Sequence, residues 1–356
     1  MCTGQPTLPE LRGLVPAYVS RDVENTMSIH PQEPARLKLA QLPTPVVALK
    51  QLAKHANVPR ILLKRDDLTG LEVSGNKVRK LEYVVADAIA QGADTLLTHG
   101  GFQSNHCRAT AAVGARLGLR VRMILRSEQS DPSWDGNLFL DHLFGAECSY
   151  HTPELYRDQL EELVAEAMQQ EREAGQKPYF FPVGASVPYG NWGYVRCVAE
   201  LVESLGRDAP VDLYCATSSG GTQVGLMLGR ALLGCDNWRV RGVPVSDSVD
   251  YFQTYLRKLE RETVQRFQLQ VSPEDTPIDL VDGFIGEGYA IAYPQAVETI
   301  RLLGRLEAVV LDPSYTSKGM SGMLHAITQQ EPGRVPVFIH TGGVFGLFAR
   351  RDLLAP

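Results

Sequence analysis

A lysine at position 77, within Ser74-Gly75-Asn76-Lys77-Val78-Arg79-Lys80-Leu81, falls on the first turn of an expected helix. There it sits beside the positive end of the helix dipole, which disfavours its charged form, and burial would lower its pKa further. Imine formation needs a neutral amine, so such a lysine is suited to attack a carbonyl. A solvated surface lysine near a turn carries the same signature. Polar, glycine-containing segments also follow three later apolar runs. His99-Gly100-Gly101-Phe102-Gln103-Ser104-Asn105-His106 puts Ser104 and Asn105 where a helix would begin, after glycines that let a backbone approach a ligand. Taken alone, Ser104 reads as an N-cap. Ala216-Thr217-Ser218-Ser219-Gly220-Gly221-Thr222-Gln223 offers backbone N–H groups and hydroxyls that can cradle a single phosphate. It lacks the lysine of a nucleotide P-loop, and the dinucleotide pattern G-x-G-x-x-G is absent. His340-Thr341-Gly342-Gly343 can be only a tight turn. Four such strand ends in one sheet can, however, converge on one ligand.

The elements that must position these groups read as alternating β-rich runs and amphipathic stretches, the pattern of an α/β fold around a largely parallel sheet. Strands are expected over residues 61–64, 95–98, 121–125, 179–181, 213–216, 240–243, 308–311 and 335–340. Helices are expected over 76–91, 105–117, 157–174, 194–205, 222–233 and 319–330. Residues 1–35 hold several prolines and no sustained apolar period, as an extended arm would. No solenoid repeat or low-complexity tract interrupts the rest.

The 356 residues are 44% hydrophobic and 21% charged, enough for two domains or one domain with a large insertion. A formal net charge of −6 without a basic run argues against nucleic acid or anionic lipid as a partner and favours a small molecule. No run of about 20 apolar residues and no basic-then-apolar leader is present, which reads as a cytoplasmic protein with no membrane partner. Cys2, Cys107, Cys148, Cys197, Cys215 and Cys235 are scattered without a C-x-x-C pair, so reduced, packing cysteines are expected rather than a metal site or disulfides.

The chain resembles the D-cysteine desulfhydrase and 1-aminocyclopropane-1-carboxylate deaminase family, pyridoxal-phosphate enzymes of the tryptophan-synthase-β type (fold type II). The segments that carry the resemblance are Leu42-Pro43-Thr44-Pro45, Lys64-Arg65-Asp66-Asp67, Gly75-Asn76-Lys77-Val78-Arg79-Lys80-Leu81-Glu82, Gln103-Ser104-Asn105-His106, Ser219-Gly220-Gly221-Thr222, Asp312-Pro313-Ser314-Tyr315-Thr316-Ser317-Lys318 and His340-Thr341-Gly342-Gly343. They run in the family's order from about residue 36 to about residue 350. The resemblance implies pyridoxal 5'-phosphate held by Lys77 as a Schiff base, Asn105 on its phenolic oxygen, and Ser219, Gly220, Gly221 and Thr222 around its phosphate. It places Ser104 near the substrate carboxylate and Cα, and makes Tyr289 and Tyr315 the two active-site tyrosines. A core aromatic with a polar tip is the plainer reading of either tyrosine.

In the cyclopropane deaminases an acidic residue follows the tyrosine of Asp-Pro-x-Tyr and protonates the pyridine nitrogen. Here that position is Thr316, and a neutral partner, Thr316 or Thr341, suits a shallower electron sink and β-elimination. The expected reaction is therefore conversion of D-cysteine to pyruvate, hydrogen sulfide and ammonia. Cyclopropane-carboxylate deamination, sulfite loss from cysteate, and a low-turnover cofactor-binding protein are the rivals. A large cofactor domain formed by residues 36–92 and 188–356, a smaller inserted domain over 93–187, and a homodimer are also implied. Two stretches depart from the family's usual pattern and are expected near the pocket: residues 182–194 and Val344-Phe345-Gly346.

Overall fold

The computed structural model describes residues 28–355, so most of the expected arm over residues 1–35 lies outside the described residues. From residue 28 onward the chain is tied down: Arg196 grips both Glu33 carboxylate oxygens, at 2.7 and 2.9 Å, and the Tyr83 hydroxyl donates to the same carboxylate at 2.6 Å.

In chain order the elements are β1 (Val46–Ala48), α1 (Lys50–His55), β2 (Leu62–Lys64), α2 (Asn76–Ala90), β3 (Thr95–Gly101), α3 (Asn105–Leu117), β4 (Arg120–Arg126), α4 (Gly136–Leu143), β5 (Glu147–His151), α5 (Pro153–Glu173), β6 (Pro178–Phe180), α6 (Pro188–Leu205), β7 (Val211–Thr217), α7 (Gly221–Leu232), β8 (Arg239–Pro244), α8 (Val249–Phe267), β9 (Asp279–Leu280), α9 (Pro294–Glu307), α10 (Thr316–Ile327), β10 (Val335–Ile339) and α11 (Val344–Phe348). A six-stranded sheet is ordered β1-β2-β10-β7-β8-β9, with β1 antiparallel to β2 and every other pairing parallel. The strands β5-β4-β3-β6 make a second, wholly parallel sheet of four. Parallel strands are covered on both faces, which is why they read as unbroken apolar runs. Leu213, Tyr214 and Cys215 of β7 and Val337, Phe338 and Ile339 of β10 are all fully buried.

The expected strand at 308–311 does not form. Ala308 caps α9 in the left-handed conformation, and the chain then runs as a loop that buries Val309 and Leu311 in the core without a strand partner. A short apolar run fixes burial but not pairing, and β10 takes the place between β2 and β7. Helices α1, α4, α8, α9 and α11 and strands β1, β5 and β9 were outside the sequence expectations; α5 and α6 start earlier than expected, each with a proline in its first turn.

A buried ionic network fixes the start of α2, the helix that carries Lys77. Arg79 reaches Asp66 at 2.8 Å and Glu200 at 2.7 Å, Lys64 reaches Glu200 at 2.6 Å, and the Tyr194 hydroxyl donates to Asp66 at 2.7 Å. Burial alone would push the Asp66 carboxyl up, but the Arg79 guanidinium, Lys64 and the Thr44 hydroxyl outweigh it and hold that carboxyl below its usual value. Arg79 thus ties the turn after β2, α2 and α6 together.

Candidate active site

The C-terminal ends of β3 and β4 in one sheet, and of β7, β8 and β10 in the other, border one cavity of about 360 Å³. Open α/β sheets place ligands at such strand ends. Of the residues singled out in the sequence, Lys77, Ser104, Asn105, Ser219, Gly220, Thr222, Tyr289, Tyr315 and Thr341 line this cavity. Gly221 sits just behind its wall, and Thr316 does not reach it. The Thr316 side chain is fully buried, its hydroxyl donating to Asp312 Oδ1 and accepting from the Asp312 N–H, both at 2.7 Å. Thr316 is therefore spent on closing the turn before α10, and the neutral group left on that side is Thr341. Among the described residues the only carboxylate lining the cavity is Asp247, which is exposed. The buried Asp312 carboxylate is occupied by the N–H groups of Ser314, Tyr315 and Thr316.

Lys77 stands on the first turn of α2 and is partly open only to the cavity. Burial lowers its amine from 10.5 to about 8, with no acid beside it to oppose the effect. A substantial neutral fraction therefore exists near neutrality, as carbonyl attack requires.

The turn from β7 into α7 presents unused donors. Among the described residues the N–H groups of Ser219, Gly220, Thr222 and Gln223 find no acceptor, while Gly221 donates to the Ser219 carbonyl at 2.9 Å. Gly220 adopts φ +74° at this corner, a conformation side chains rarely accept. Behind the turn lies Lys80, fully buried, its amine bonded to the Gly184 carbonyl and to Ser186 Oγ, both at 3.1 Å. Ser186 donates in turn to Ser219 Oγ at 2.9 Å. Burial, and then the neighbouring Lys77, push the Lys80 amine well below its ordinary value, and no carboxylate balances it. Free N–H groups at the head of a twelve-residue helix backed by an uncompensated lysine suit a phosphate dianion. Lys80 was not singled out in the sequence; its helical spacing of three from Lys77 was the available signal.

Asn105 is oriented by a chain of donors. Arg108 Nε donates to Asn137 Oδ1 at 3.2 Å, so the Asn137 amide nitrogen must face the other way; it donates to Asn105 Oδ1 at 3.1 Å. The Asn105 NH₂ is thereby turned to the cavity, ready to donate to an anionic oxygen such as a phenolate. Ser104 is the N-cap of α3: its Oγ accepts from the His106 and Cys107 N–H groups at 3.2 and 3.3 Å, leaving its own O–H free on the cavity side. The N-cap reading of Ser104 therefore holds, and the same residue lines the cavity.

The Tyr289 and Tyr315 hydroxyls hydrogen-bond to each other. Burial raises the pKa of both, so the pair remains protonated and can donate. Free N–H groups at the head of α7, a buried lysine of lowered pKa, the Asn105 amide and the Thr341 hydroxyl are groups of the kinds that would fit pyridoxal 5'-phosphate. The sequence missed His99, Arg126 and Tyr156, which also line the cavity. Arg126 ends β4 and the strand-end rule could have found it; Tyr156 comes from α5, with no local signal. Of the two departing stretches, the first contributes Val183 and Gly184 to the wall, while the second begins α11 and packs Phe345 under the Arg108 guanidinium.

The model of the family described as pyridoxal-phosphate dependent enzyme matches residues 37–342. The chain is 38% identical over 317 residues to a putative 1-aminocyclopropane-1-carboxylate deaminase of Thermotoga maritima, covering 88% of this chain and 98% of the relative. It is 37% identical over 332 residues to a D-cysteine desulfhydrase of Yersinia enterocolitica, covering 88% and 97%. A bifunctional D-cysteine desulfhydrase/1-aminocyclopropane-1-carboxylate deaminase of Arabidopsis thaliana is 37% identical over 329 residues, covering 89% and 80%. The crystal structure of an ACC deaminase homologue superposes with a TM-score of 0.83 at 31% identity, covering 92% of this chain and 99% of that one. With the family's model spanning residues 37–342 and these relatives matched over most of their length, the chain belongs to the pyridoxal-phosphate dependent enzymes.

Proposed function

We propose that this enzyme is a lyase that eliminates the β-substituent of a small amino acid, D-cysteine foremost, giving pyruvate, hydrogen sulfide and ammonia with uptake of one water. The observation that carries the reading is the neutral Thr341 end of the cavity. Its hydroxyl has no partner among the described residues, and the one nearby buried acid, Asp312, is consumed by backbone donors. A neutral partner leaves the pyridine ring a shallow electron sink, sufficient when a good leaving group departs from Cβ soon after the Cα proton.

In this reading Lys77 holds the cofactor, the Ser219–Thr222 turn and Lys80 receive its phosphate, Asn105 meets its phenolic oxygen and Thr341 its ring nitrogen. When bound, the cofactor withdraws electrons from the substrate's Cα and so acidifies the Cα–H bond. Lys77, its amine brought by burial to about 8 and so partly neutral near neutrality, takes that proton at Nζ. Ser104 O–H and the head of α3 receive the substrate carboxylate. The tyrosine pair, kept protonated by burial, donates a hydrogen bond to the departing thiolate. We assign the four-stranded sheet to a smaller domain over residues 93–187, set against the cofactor domain of 36–92 and 188–356, with the cleft between them excluding water. A cytoplasmic homodimer goes with this reading; light scattering tests the stoichiometry.

The relatives named as cyclopropane-carboxylate deaminases support a second reading, ring opening to 2-oxobutyrate and ammonia. Purified holoenzyme offered D-cysteine, L-cysteine and aminocyclopropane-carboxylate separates the two. Sulfide and pyruvate from D-cysteine, abolished by Lys77→Ala, are expected; 2-oxobutyrate as the sole product would replace the first reading with the second.

A further inference from the structure

Tyr289 and Tyr315 reach the cavity from different parts of the chain. Tyr315 is the N-cap of α10, so a helix head fixes it directly. Tyr289 stands on the loop between β9 and α9, which bends through three positive-φ corners, Gly286 at +69°, Gly288 at +152° and Ala290 at +59°. Main-chain bonding in this loop is sparse. Among the described residues, the Ile291 N–H to Gly288 carbonyl at 3.4 Å is the one backbone–backbone bond within residues 283–292.

Lys318 supplies what the loop lacks. It stands on the first turn of α10, fully buried, and its amine donates to the carbonyls of Ile285 at 2.6 Å and Gly288 at 2.8 Å. The ring centre of Tyr293 lies 5.6 Å from the same nitrogen, within reach of a cation–π contact. A buried cation at a helix head is disfavoured twice, by lost hydration and by the positive end of the dipole. Asp312, whose charge acts on it, spends its oxygens on the N–H groups of Ser314, Tyr315 and Thr316. Burial lowers the amine to about 8, with Asp312 opposing, so at neutral pH it is chiefly the ammonium. What receives this charge is a pair of carbonyl dipoles and an aromatic face. Gly288 immediately precedes Tyr289, so the contact also sets where that phenol starts.

We propose that the Ile285 and Gly288 carbonyls and the Tyr293 ring form a cage for a small monovalent cation, filled by the Lys318 ammonium, and that Lys318 is the positioning residue holding Tyr289 against Tyr315. The positioning half rests on the lyase reading, in which the tyrosine pair meets the leaving group; the cage does not. One helix head then places both hydroxyls, Tyr315 through its own backbone and Tyr289 through Lys318. A cage that fits a tethered ammonium should accept a free one once the tether is cut. Lys318→Ala therefore makes the loop depend on a small alkylammonium ion, whereas Lys318→Met fills the space with an apolar chain that no ion can replace.

Two measurements on holoenzyme test this. Hydrogen–deuterium exchange over residues 283–292 reads the loop without turnover. Lys318→Met should exchange about tenfold faster there and nowhere else; in Lys318→Ala the same acceleration should be reversed by methylammonium chloride and not by equal sodium chloride. Wild-type exchange in Lys318→Met, acceleration spread over the whole chain, or no response of Lys318→Ala to methylammonium would each overturn the cage. Steady-state rates with D-cysteine read the positioning. In both variants kcat should fall about tenfold to a hundredfold, the range for one charged hydrogen-bonding partner, with KM and cofactor affinity nearly unchanged, and methylammonium should restore Lys318→Ala alone. An unchanged kcat, or an equal loss of cofactor affinity, overturns the positioning role. If wild type releases no sulfide from D-cysteine, the lyase reading fails and the positioning role with it, while the exchange data still decide the cage.

Discussion

The lowered pKa of Lys77 predicts an unusually reactive amine in cofactor-free protein. Burial brings it from 10.5 to about 8. At pH 7.5 the neutral fraction is then about a quarter, against about one in a thousand for an unperturbed lysine, a ratio on the order of 200. The sign follows from the charge type: burial disfavours the ammonium, so the neutral amine dominates above about pH 8 and the proton returns below it. Brief pulses of acetic anhydride at a series of pH values, read peptide by peptide by mass spectrometry, give the Lys77 acylation profile. Lys258, 73% exposed, serves as the reference for reagent delivery. A Lys77 midpoint near pH 8 is expected. Saturating inorganic phosphate should raise that midpoint, because a dianion in the adjacent turn favours the ammonium. A midpoint above pH 10, or Lys77 protected at every pH, would refute the argument that a dry, acid-free wall surrounds the amine.

Three further outcomes follow from contacts around the same cavity. Asn137→Asp keeps the acceptor for Arg108 but cannot donate to Asn105, so the Asn105 amide should turn its carbonyl inward and cofactor affinity should fall about tenfold by absorbance titration, while Asn137→Ser falls less. Gly184→Ala would bring a Cβ to 2.1 Å from Ser219 Oγ at φ +74°, so phosphate binding should weaken at least as much, and wild-type affinity would remove Ser219 from the cradle. Glu200→Gln leaves Arg79 and Lys64 short of an acid and should cost about 3 to 5 kcal/mol in chemical denaturation. Because Asp66 and Glu200 carry lowered pKa values, their stabilisation is complete above about pH 4.5 and drains away on acidification below it; the variant should show a shallower loss of stability over that acid range.

How far the sequence exposed this molecule depended on what each signal physically encodes. Buried parallel strands such as β7 and β10 announce themselves, because two covered faces demand continuous apolar residues. The stretch 308–311 shows the limit: Val309 and Leu311 are buried as an apolar run requires, yet burial can be met by a loop that dips into the core. Polar helices announce themselves poorly. Helix α8 has only Phe252, Leu256, Leu259, Glu260 and Thr263 buried along its nineteen residues, and its charged face hides the period.

The site divides along a similar line. Lys77, Ser104, Asn105 and the Ser219–Thr222 turn were legible because each sits at a strand-to-helix junction, where glycines and caps leave a local trace. The groups that set the electrostatics were not, because their meaning lies in what is missing around them. Nothing in the sequence near Arg126 says that no acid pairs with it, and nothing near Lys80 says that its helix faces a turn of free N–H groups. Thr316 makes the converse point: adjacent to Tyr315 in the chain, it was a natural candidate, but its hydroxyl closes on Asp312, whereas Thr341, twenty-five residues further on, lines the cavity. Chemistry borne by a junction can be read from its own residues, whereas the electrostatics of a cavity depends on unpaired charge, and pairing is decided only when distant strands meet.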